Sequence, residues 1–461
     1  MHLFFATGLF SIMLATTCIV LSFFVLSNMN YFELVNASEL LSDNLPHVSD
    51  SKLKVELVFQ QEIKRQGNTL SPVSTMTFVG TNDILFLNKN NGTVNRIVNG
   101  VLLKEPLLDV NVANKRERGM LGIATTISST ANDNKNGDTR YVFLYYTESK
   151  GGDGTNTSST DPSYNKLYRY ELINNKLRNP KLLFTAPTPN RYSHIGGGLQ
   201  IGPDNNLYLT VGDMHGDQNN STTTMAQNFK DGVIPDGRAG MLRFTQDGEP
   251  VGSGILGKQY PLNLYYAYGI RNSFGLDFDP VSGKIWDTEN GPQSGDEINL
   301  VEPGFNSGWN KIQGLGGPQQ NLSNLEKVVL DHPDGLVDFG GKGKYRAPEF
   351  VWKQRVAPTA LKFLNSEQLG KRYQNDLFVA SFNLGEIYDF DLNENRTKLE
   401  LTNTTDNNTL AKKLDVRNVL FAHGLGKITD MDVGQDGNLY VLSKYLETPT
   451  IFKISSVNKT K

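Results

Sequence analysis

The stretch YYAYGIRNSFGLDFDPVSGKIWDTENGPQSGDEINLV, residues 265–301, decides the fold that we predict for this chain. Two short apolar strands, at 275–278 and 284–287, are joined by a Pro/Gly turn, which is the pattern of a β-hairpin. Polar residues gather at the strand ends, at 271–272 before the first strand and at 289–297 after the second. A rigid sheet positions such loops, so β proteins commonly place ligand chemistry there.

The same unit of apolar strand, turn and apolar strand recurs along the chain. Alternating β-branched and aromatic residues bounded by Gly, Asn or Asp indicate strands, and a repeated three- or four-stranded unit indicates propeller blades. We therefore predict an all-β, six-bladed β-propeller over 54–456, in which 54–60 adds an outer strand to the last blade. An array of two or three β-sandwiches is the alternative. The six repeats of the strand–turn–strand unit occupy residues 75–98, 119–172, 197–248, 265–301, 357–392 and 427–454.

The composition argues against nucleic acid as a partner and against disulfide bonds in the folded part. The formal net charge is −3 and acidic and basic residues are interspersed, so there is no basic stripe for nucleic acid. The single cysteine, Cys18, lies in the N-terminal apolar segment, so the folded part has no disulfide.

The N-terminus is predicted to be a targeting or anchoring segment over 1–27. Residues 3–27 are almost continuously apolar and uncharged, which is long enough to span a bilayer as a helix. A basic region before the apolar run is missing, so a retained signal anchor is favoured over a cleaved signal peptide. Residues 28–53 are predicted to be a polar tether. We expect the propeller to lie outside the cytoplasm, in the periplasm or at the cell surface, held to the membrane by this segment.

His194 is the leading candidate for a catalytic base. It precedes three glycines and an apolar strand in HIGGGLQIGPDNNLYLTVGD, where the backbone is expected to pack closely near a propeller axis. An imidazole titrates near neutrality, which suits a general base. A structural histidine bonded to a loop carbonyl is the alternative. His423 is a second candidate for the same channel.

Arg271 and Asn272 are expected at the matching position of the next blade. Arg271 can stabilise a developing oxyanion and Asn272 can orient a hydroxyl group. The alternative is an arginine that ties blades together. Gly291 and Pro292 form a rigid turn with outward carbonyls, and Glu297 follows closely, so these oxygens suit Ca²⁺. The alternative is a set of carboxylates that stabilise a turn.

These motifs together resemble the soluble quinoprotein sugar dehydrogenases, the glucose/sorbosone dehydrogenase family that uses pyrroloquinoline quinone (PQQ). The resemblance runs from about 54 to 455. The matching blocks are RGMLGIA (118–124), HIGGGLQIGPDNNLYLTVGD (194–213), YGIRNSFGLDFDP (268–280), ENGPQSGDEINLVEPGFNSGWN (289–310) and ITDMDVGQDGNLYVLS (428–443).

The resemblance implies PQQ over the mouth of a six-bladed propeller, with His194 as the base and Arg271 near the quinone oxygen, beside Asn272. It implies one Ca²⁺ on the carbonyls of Gly291 and Pro292, and Glu297 as a ligand of a second Ca²⁺. The implied reaction oxidises an aldose to a lactone by hydride transfer to PQQ. The electron acceptor is not indicated.

The chain departs from the family pattern among the residues expected to hold the cofactor. Glu117 stands where the family has Gln, Asn383 where it has Lys, and Lys427 where it has Arg. With Arg271 and Asn290 they form our predicted cofactor-binding set. Ser307 replaces a Tyr near the second Ca²⁺. Because PQQ carries three carboxylates, the loss of cationic partners keeps open a second function, a non-catalytic extracytoplasmic propeller that binds a glycan or protein.

Overall fold

The computed structural model describes residues 46–61, 72–126, 140–154, 163–187, 192–214, 223–316, 335–401 and 416–457. The predicted apolar segment 3–27 lies outside these residues. Within the described ranges no helix is long and apolar enough to cross a membrane.

Almost all regular structure in the described residues is β-strand. Four short 3-10 helices occur at Met225–Gln227, Leu262–Leu264, Lys371–Tyr373 and Val416–Val419. The strands, in chain order, are β1 His47–Val48, β2 Leu53–Gln60, β3 Val73–Gly80, β4 Asp83–Asn88, β5 Thr93–Val98, β6 Val101–Leu102, β7 Leu108–Asp109, β8 Met120–Thr125, β9 Tyr141–Glu148, β10 Tyr164–Ile173, β11 Lys176–Pro187, β12 Leu199–Ile201, β13 Leu207–Val211, β14 Gly240–Phe244, β15 Tyr265–Tyr268, β16 Ser273–Phe278, β17 Ile285–Glu289, β18 Asp296–Val301, β19 Phe305–Asn306, β20 Lys344–Tyr345, β21 Phe350–Trp352, β22 Pro358–Phe363, β23 Leu377–Ser381, β24 Ile387–Leu392, β25 Leu399–Glu400, β26 Leu420–His423, β27 Lys427–Val433, β28 Leu439–Tyr445 and β29 Thr448–Ser456.

These strands form six sheets of four to six strands within the described ranges. We number the sheets by their innermost strands, which are β3, β8, β12, β16, β22 and β27 for sheets 1 to 6. Each innermost strand is an edge of its sheet and contacts the innermost strands of two neighbouring sheets, and β27 returns to contact β3. The six edges therefore face a common centre, which is an all-β, propeller-like arrangement.

The hydrophobic core is divided among the spaces between neighbouring sheets. Phe143 of sheet 2 packs in one cluster with Leu209 of sheet 3, and Phe86 of sheet 1 packs in another with Leu442 of sheet 6. Burial of these apolar faces is the main driving force that holds sheet against sheet. The predicted all-β fold class is confirmed, and a row of separate sandwiches does not describe this packing.

The two ends of the described chain meet in sheet 6. Strand β2 pairs antiparallel with β29, with Val55 opposite Ile454, so the predicted outer strand at 54–60 is confirmed. The end of the predicted tether is corrected: His47–Val48 pairs with β26 in sheet 5, and Leu53 already belongs to β2.

One predicted unit also begins too early. Strand β15, which opens the stretch 265–301, pairs with β14 and belongs to sheet 3. Its rings at Tyr265 and Tyr268 pack into the core between sheets 2 and 3, which explains the pairing. Sheet 4 begins at β16.

Candidate active site

A cavity of about 540 Å³ lies at the N-terminal ends of the six innermost strands. It brings together eight of the predicted site residues, although they come from distant parts of the sequence. A second cavity, of about 600 Å³, lies at the C-terminal ends of the same strands. The eight are Glu117, His194, Arg271, Asn272, Asn290, Gly291, Asn383 and Lys427.

His194 forms a dyad with a carboxylate that the sequence reasoning missed. Its Nδ1 lies 2.6 Å from Oδ1 of Asp213, and the other oxygen of Asp213 accepts a hydrogen bond of 2.7 Å from the indole of Trp309. Asp213 is fully buried and follows strand β13. A carboxylate on Nδ1 fixes the orientation of the ring and favours proton exchange at Nε2. The Gly-Asp pair that ends the block 194–213 is the sequence signal that could have identified Asp213.

The backbone at His194 is held in an uncommon conformation. Its φ is +60°, in the left-handed region that non-glycine residues occupy at a cost of about 1–3 kcal/mol. The His194 N–H donates to Oε2 of Glu117 at 2.7 Å, and the Met214 N–H donates to the His194 carbonyl at 3.2 Å. A Cβ at Gly212 would lie 2.2 Å from that carbonyl oxygen, so only glycine fits there. Glu117 therefore reaches the cavity as predicted, and it also positions the histidine.

Arg271 is buried beside the dyad, and its guanidinium bonds to a loop of its own sheet. Its guanidinium donates to the carbonyl of Asn290 at 2.5 Å and lies over the Trp309 ring, 5.3 Å from its centroid. Its Nε–H finds no acceptor among the described residues. Burial lowers the pKa of Arg271, although nearby Asp213 and other carboxylates oppose the shift. The arginine therefore braces the loop and still presents an unsatisfied donor.

Asn272 is fixed by two neighbours in the same cavity. Its side-chain oxygen accepts from the Gly196 N–H at 3.2 Å, and its amide donates to Glu117 at 3.1 Å. Through these bonds Asn272 helps to hold the backbone around His194 in place.

The predicted metal residues fall in two different places. Gly291 lines the cavity, whereas Pro292 and Glu297 are not among its lining residues. The Gly291 N–H donates to Asp296 at 2.8 Å, and the other oxygen of Asp296 accepts from the Val356 and Ala357 N–H groups, also at 2.8 Å. Asp296 therefore stabilises the turn, as the alternative interpretation expected.

Glu297 belongs to a buried group of carboxylates within sheet 4. It lies directly opposite Glu289, and Asp287 lies opposite Asn299, so all four side chains share one face of the β17–β18 ribbon. Burial raises the pKa of Glu297 and of Glu289, and raises that of Asp287 to about 7.

Several oxygens of this group accept no hydrogen bond from the described residues. They are both side-chain oxygens of Asp287, Oε2 of Glu289, Oδ1 of Asn299 and, on the neighbouring loop, Oε1 of Gln313. Glu297 itself accepts from the Gln313 amide at 2.7 Å and from the Gly314 N–H. In the described ranges no three His, Cys, Asp or Glu side chains are placed to hold a metal alone. A cation here would therefore also need amide or carbonyl oxygens, which are ligands that Ca²⁺ accepts.

The prediction that His423 lines the same channel as His194 is wrong. His423 lies in β26 on sheet 5, where its ring pairs with that of His47 at 5.2 Å, and it does not line the cavity. Its place in the outer part of the sheet follows from the pairing of β26 with β24 and β1.

An all-β, propeller-like protein with a His–Asp dyad and a buried arginine in its central cavity is the class that fold and site define. The chain belongs to the glucose/sorbosone dehydrogenase family, whose model matches residues 70–449. The predicted family resemblance is confirmed, and the family and its characterised relatives are sugar dehydrogenase oxidoreductases.

Two curated relatives and one solved structure illustrate the similarity. The aldose sugar dehydrogenase YliI of Escherichia coli strain K12 is 26% identical over 253 residues, which cover 54% of this chain and 57% of that protein. The quinoprotein glucose dehydrogenase B of Acinetobacter calcoaceticus is 34% identical over 164 residues, 32% of each chain. These matches span less than two thirds of either relative. The PQQ-bound aldose sugar dehydrogenase of Streptomyces coelicolor superposes with a TM-score of 0.56 at 20% identity, covering 88% of this chain and 99% of that one, and shows the shared fold.

Proposed function

We propose that this protein is a PQQ-dependent sugar dehydrogenase that oxidises an aldose at its anomeric carbon to a lactone. The observation that carries the proposal is the His194–Asp213 dyad beside Arg271, which still has an unsatisfied donor, in one cavity at the centre of the ring. Relatives named as aldose sugar and quinoprotein glucose dehydrogenases support the same reaction class.

The residues of the dyad have distinct tasks in this reaction. Nε2 of His194 accepts the proton of the anomeric hydroxyl group as the C1–O bond becomes a carbonyl. Asp213, at 2.6 Å from Nδ1, stabilises the imidazolium that forms. PQQ, when bound, supplies the acceptor for the hydrogen and the two electrons that leave C1.

The cavity has the chemistry that an anionic quinone requires. Arg271 offers a buried donor for a quinone oxygen, and Asn290 lines the same wall with a side-chain oxygen that has no donor among the described residues. The lining carries six basic and two acidic side chains. The residues present therefore fit the cofactor.

We extend the proposal to Ca²⁺ in two places. The carbonyls of Gly291 and Pro292 would hold one ion at the cavity, where it would polarise the quinone as a Lewis acid. Glu289, Glu297 and Asn299 would hold a second within sheet 4. The oxygens there without donors, together with the raised pKa of Glu297, support this second site.

The architecture and location complete the proposal. We infer a closed six-bladed propeller, supported by the ring of innermost strands and the β2–β29 pairing. We also propose that residues 3–27 anchor it outside the cytoplasm. Protease added to spheroplasts, which keep only the cytoplasmic membrane intact, should then digest the propeller, and protection until that membrane is broken would contradict this location.

The experiment that tests the function is reconstitution. Purified full-length protein is mixed with PQQ and CaCl₂, and its visible absorbance and dye-linked oxidation of a panel of aldoses are measured. We expect a shifted cofactor spectrum and oxidation of at least one aldose. A protein that binds no PQQ and oxidises no aldose would instead support the glycan- or protein-binding propeller.

A further inference from the structure

The central cavity is far more basic than the rest of the molecule. Its lining includes six basic side chains against two acidic ones, Glu117 and Asp430, whereas the whole chain has a net charge of −3. A concave site lined by one sign of charge concentrates ligands of the opposite sign. The basic residues are Lys89, Arg116, Arg271, Arg355, Lys427 and Lys444.

Two of these cations are placed side by side by the strand register. Lys427 opens β27 and lies directly opposite Lys444 on β28. Like charges in this position are destabilising. Lys444 forms an ion pair with Glu447, but the Glu447 side chain is 73% exposed and an exposed pair contributes little. The register therefore leaves a concentration of positive charge at the cavity mouth.

Arg355 adds a third cation from the neighbouring sheet. It lies on the loop between β21 and β22 and is exposed. Asn383 holds this loop, since its amide donates to the Arg355 carbonyl at 3.3 Å and its N–H donates to the Val356 carbonyl at 3.2 Å. Asn383 was predicted to contact the cofactor, and through these bonds it also fixes the backbone that carries Arg355.

The other three basic side chains of the lining are bonded to the protein or lie elsewhere in the cavity. Lys89 donates to the carbonyls of residues 114, 116 and 118, which satisfy all three of its N–H bonds. Arg271 is buried beside His194, and Arg116 adjoins Glu117 on the loop before sheet 2. We call Arg355, Lys427 and Lys444 the basic rim. Arg355 lies on the loop that enters sheet 5, and the two lysines lie on sheet 6, across the ring from sheet 3.

We propose that the basic rim binds the carboxylates of the quinone cofactor. This inference rests on the proposed function and adds Arg355 and Lys444, which lie outside the matching motifs, to Lys427, which belongs to the predicted cofactor-binding set. The guanidinium of Arg355 can take a carboxylate with two parallel hydrogen bonds, and the two lysines supply compact charges that a second carboxylate offsets. The rim thus orients the cofactor so that its quinone end reaches Arg271 and His194.

The test is a binding titration that does not depend on turnover. Arg355→Gln, Lys427→Gln, Lys444→Gln and the triple variant are prepared as full-length proteins, with Lys371→Gln as a control because Lys371 is exposed and outside the cavity lining. PQQ is titrated at constant CaCl₂, and tryptophan fluorescence and equilibrium dialysis give Kd. Each single variant should raise Kd by about 3- to 10-fold and the triple variant by about 100-fold, with a weaker dependence on salt.

The control variant should bind as the wild type does. Lys427→Arg with Lys444→Arg should retain most of the affinity, because charge is kept.

The outcomes separate the two proposals. A wild type that binds no PQQ overturns the function and the rim together. A wild type that binds PQQ, combined with a folded triple variant of unchanged Kd and unchanged salt dependence, leaves the function standing and overturns the rim.

Discussion

The two sides of the central cavity are built in opposite ways. On sheets 3 and 4, His194, Asp213 and Arg271 are at least nine-tenths buried, and each is held by short hydrogen bonds to neighbouring elements. On the loop that enters sheet 5 and on sheet 6, Arg355 and Lys427 are exposed, and the Lys427 ammonium lies 5.7 Å from the centre of the Phe382 ring.

The difference reflects what each side has to do. Proton transfer needs reacting atoms within a few tenths of an ångström of their positions, so its residues are fixed by packing and hydrogen bonds. Attraction of a carboxylate falls off slowly with distance, so a cation can act from a side chain that keeps its freedom. We therefore expect substitutions on the first side to affect rate and those on the second to affect affinity.

The largest effect should follow from His194→Ala. Loss of a positioned general base should lower kcat by roughly 10²–10⁴ while PQQ binding is retained. Stopped-flow measurement of cofactor reduction with saturating aldose checks the rate, and dialysis checks binding. Equal activity of variant and wild type would contradict the role of the histidine.

Asp213→Asn should act through His194 and have the next largest effect. An amide can still bond to Nδ1 and to the Trp309 indole, but it cannot stabilise an imidazolium, so kcat should fall by roughly 10²–10³. The stopped-flow assay used for His194→Ala measures the rate. A kcat equal to that of the wild type would show that Asp213 is only structural.

The effect of Ca²⁺ removal on the stability of the fold should be smaller. A ligand bound only by the folded state at about 100 times its Kd contributes about 2.7 kcal/mol, so EGTA should lower Tm by several degrees and CaCl₂ should restore it. Glu297→Gln should weaken this response without touching the cavity. A Tm that is insensitive to EGTA in the wild type would exclude both Ca²⁺ sites.

The smallest effect concerns Asp430, which borders both cavities. Burial raises its pKa to about 7, Asp432 adds to the shift, and Lys362 and the Met76 N–H oppose it. The folded state keeps a proton that the unfolded state loses, so stability falls as pH rises from about 4 to 7. Asp430→Asn should remove this loss and gain roughly 1–3 kcal/mol relative to wild type between pH 5 and pH 8. Urea unfolding at both pH values measures it, and parallel pH dependence of the two proteins would contradict the assignment.

Repeated strand units predicted the all-β, propeller-like fold, because alternating apolar residues and Gly, Asn or Asp turns are local signals. The wrong predictions concern residues whose position is decided by contacts with distant parts of the sequence. Tyr265 could not be placed on sheet 3 from its own surroundings, since pairing with β14 is decided by packing against sheet 2. His423 was misplaced for the same reason.

The candidate site was predictable where one motif carries both residue and neighbour, as for Arg271 and Asn272. Asp213 was missed because its contact with His194 depends on how two loops fold back, 19 residues apart. Arg355 and Lys444 belong to no motif that we singled out, and only the ring brings them beside Lys427. Glu117 was expected at the cofactor. Its hydrogen bond from the His194 N–H depends on the positive φ of His194, which no sequence pattern predicts.

The pairing of β2 with β29 has a consequence for biosynthesis. Glu56 accepts a hydrogen bond of 2.6 Å from Ser455 across 399 residues, so sheet 6 is complete only after nearly the whole chain has left the ribosome. Lys427 and Lys444 stand on that last sheet. A nascent chain therefore has the strands of the dyad long before it has the two lysines of the basic rim.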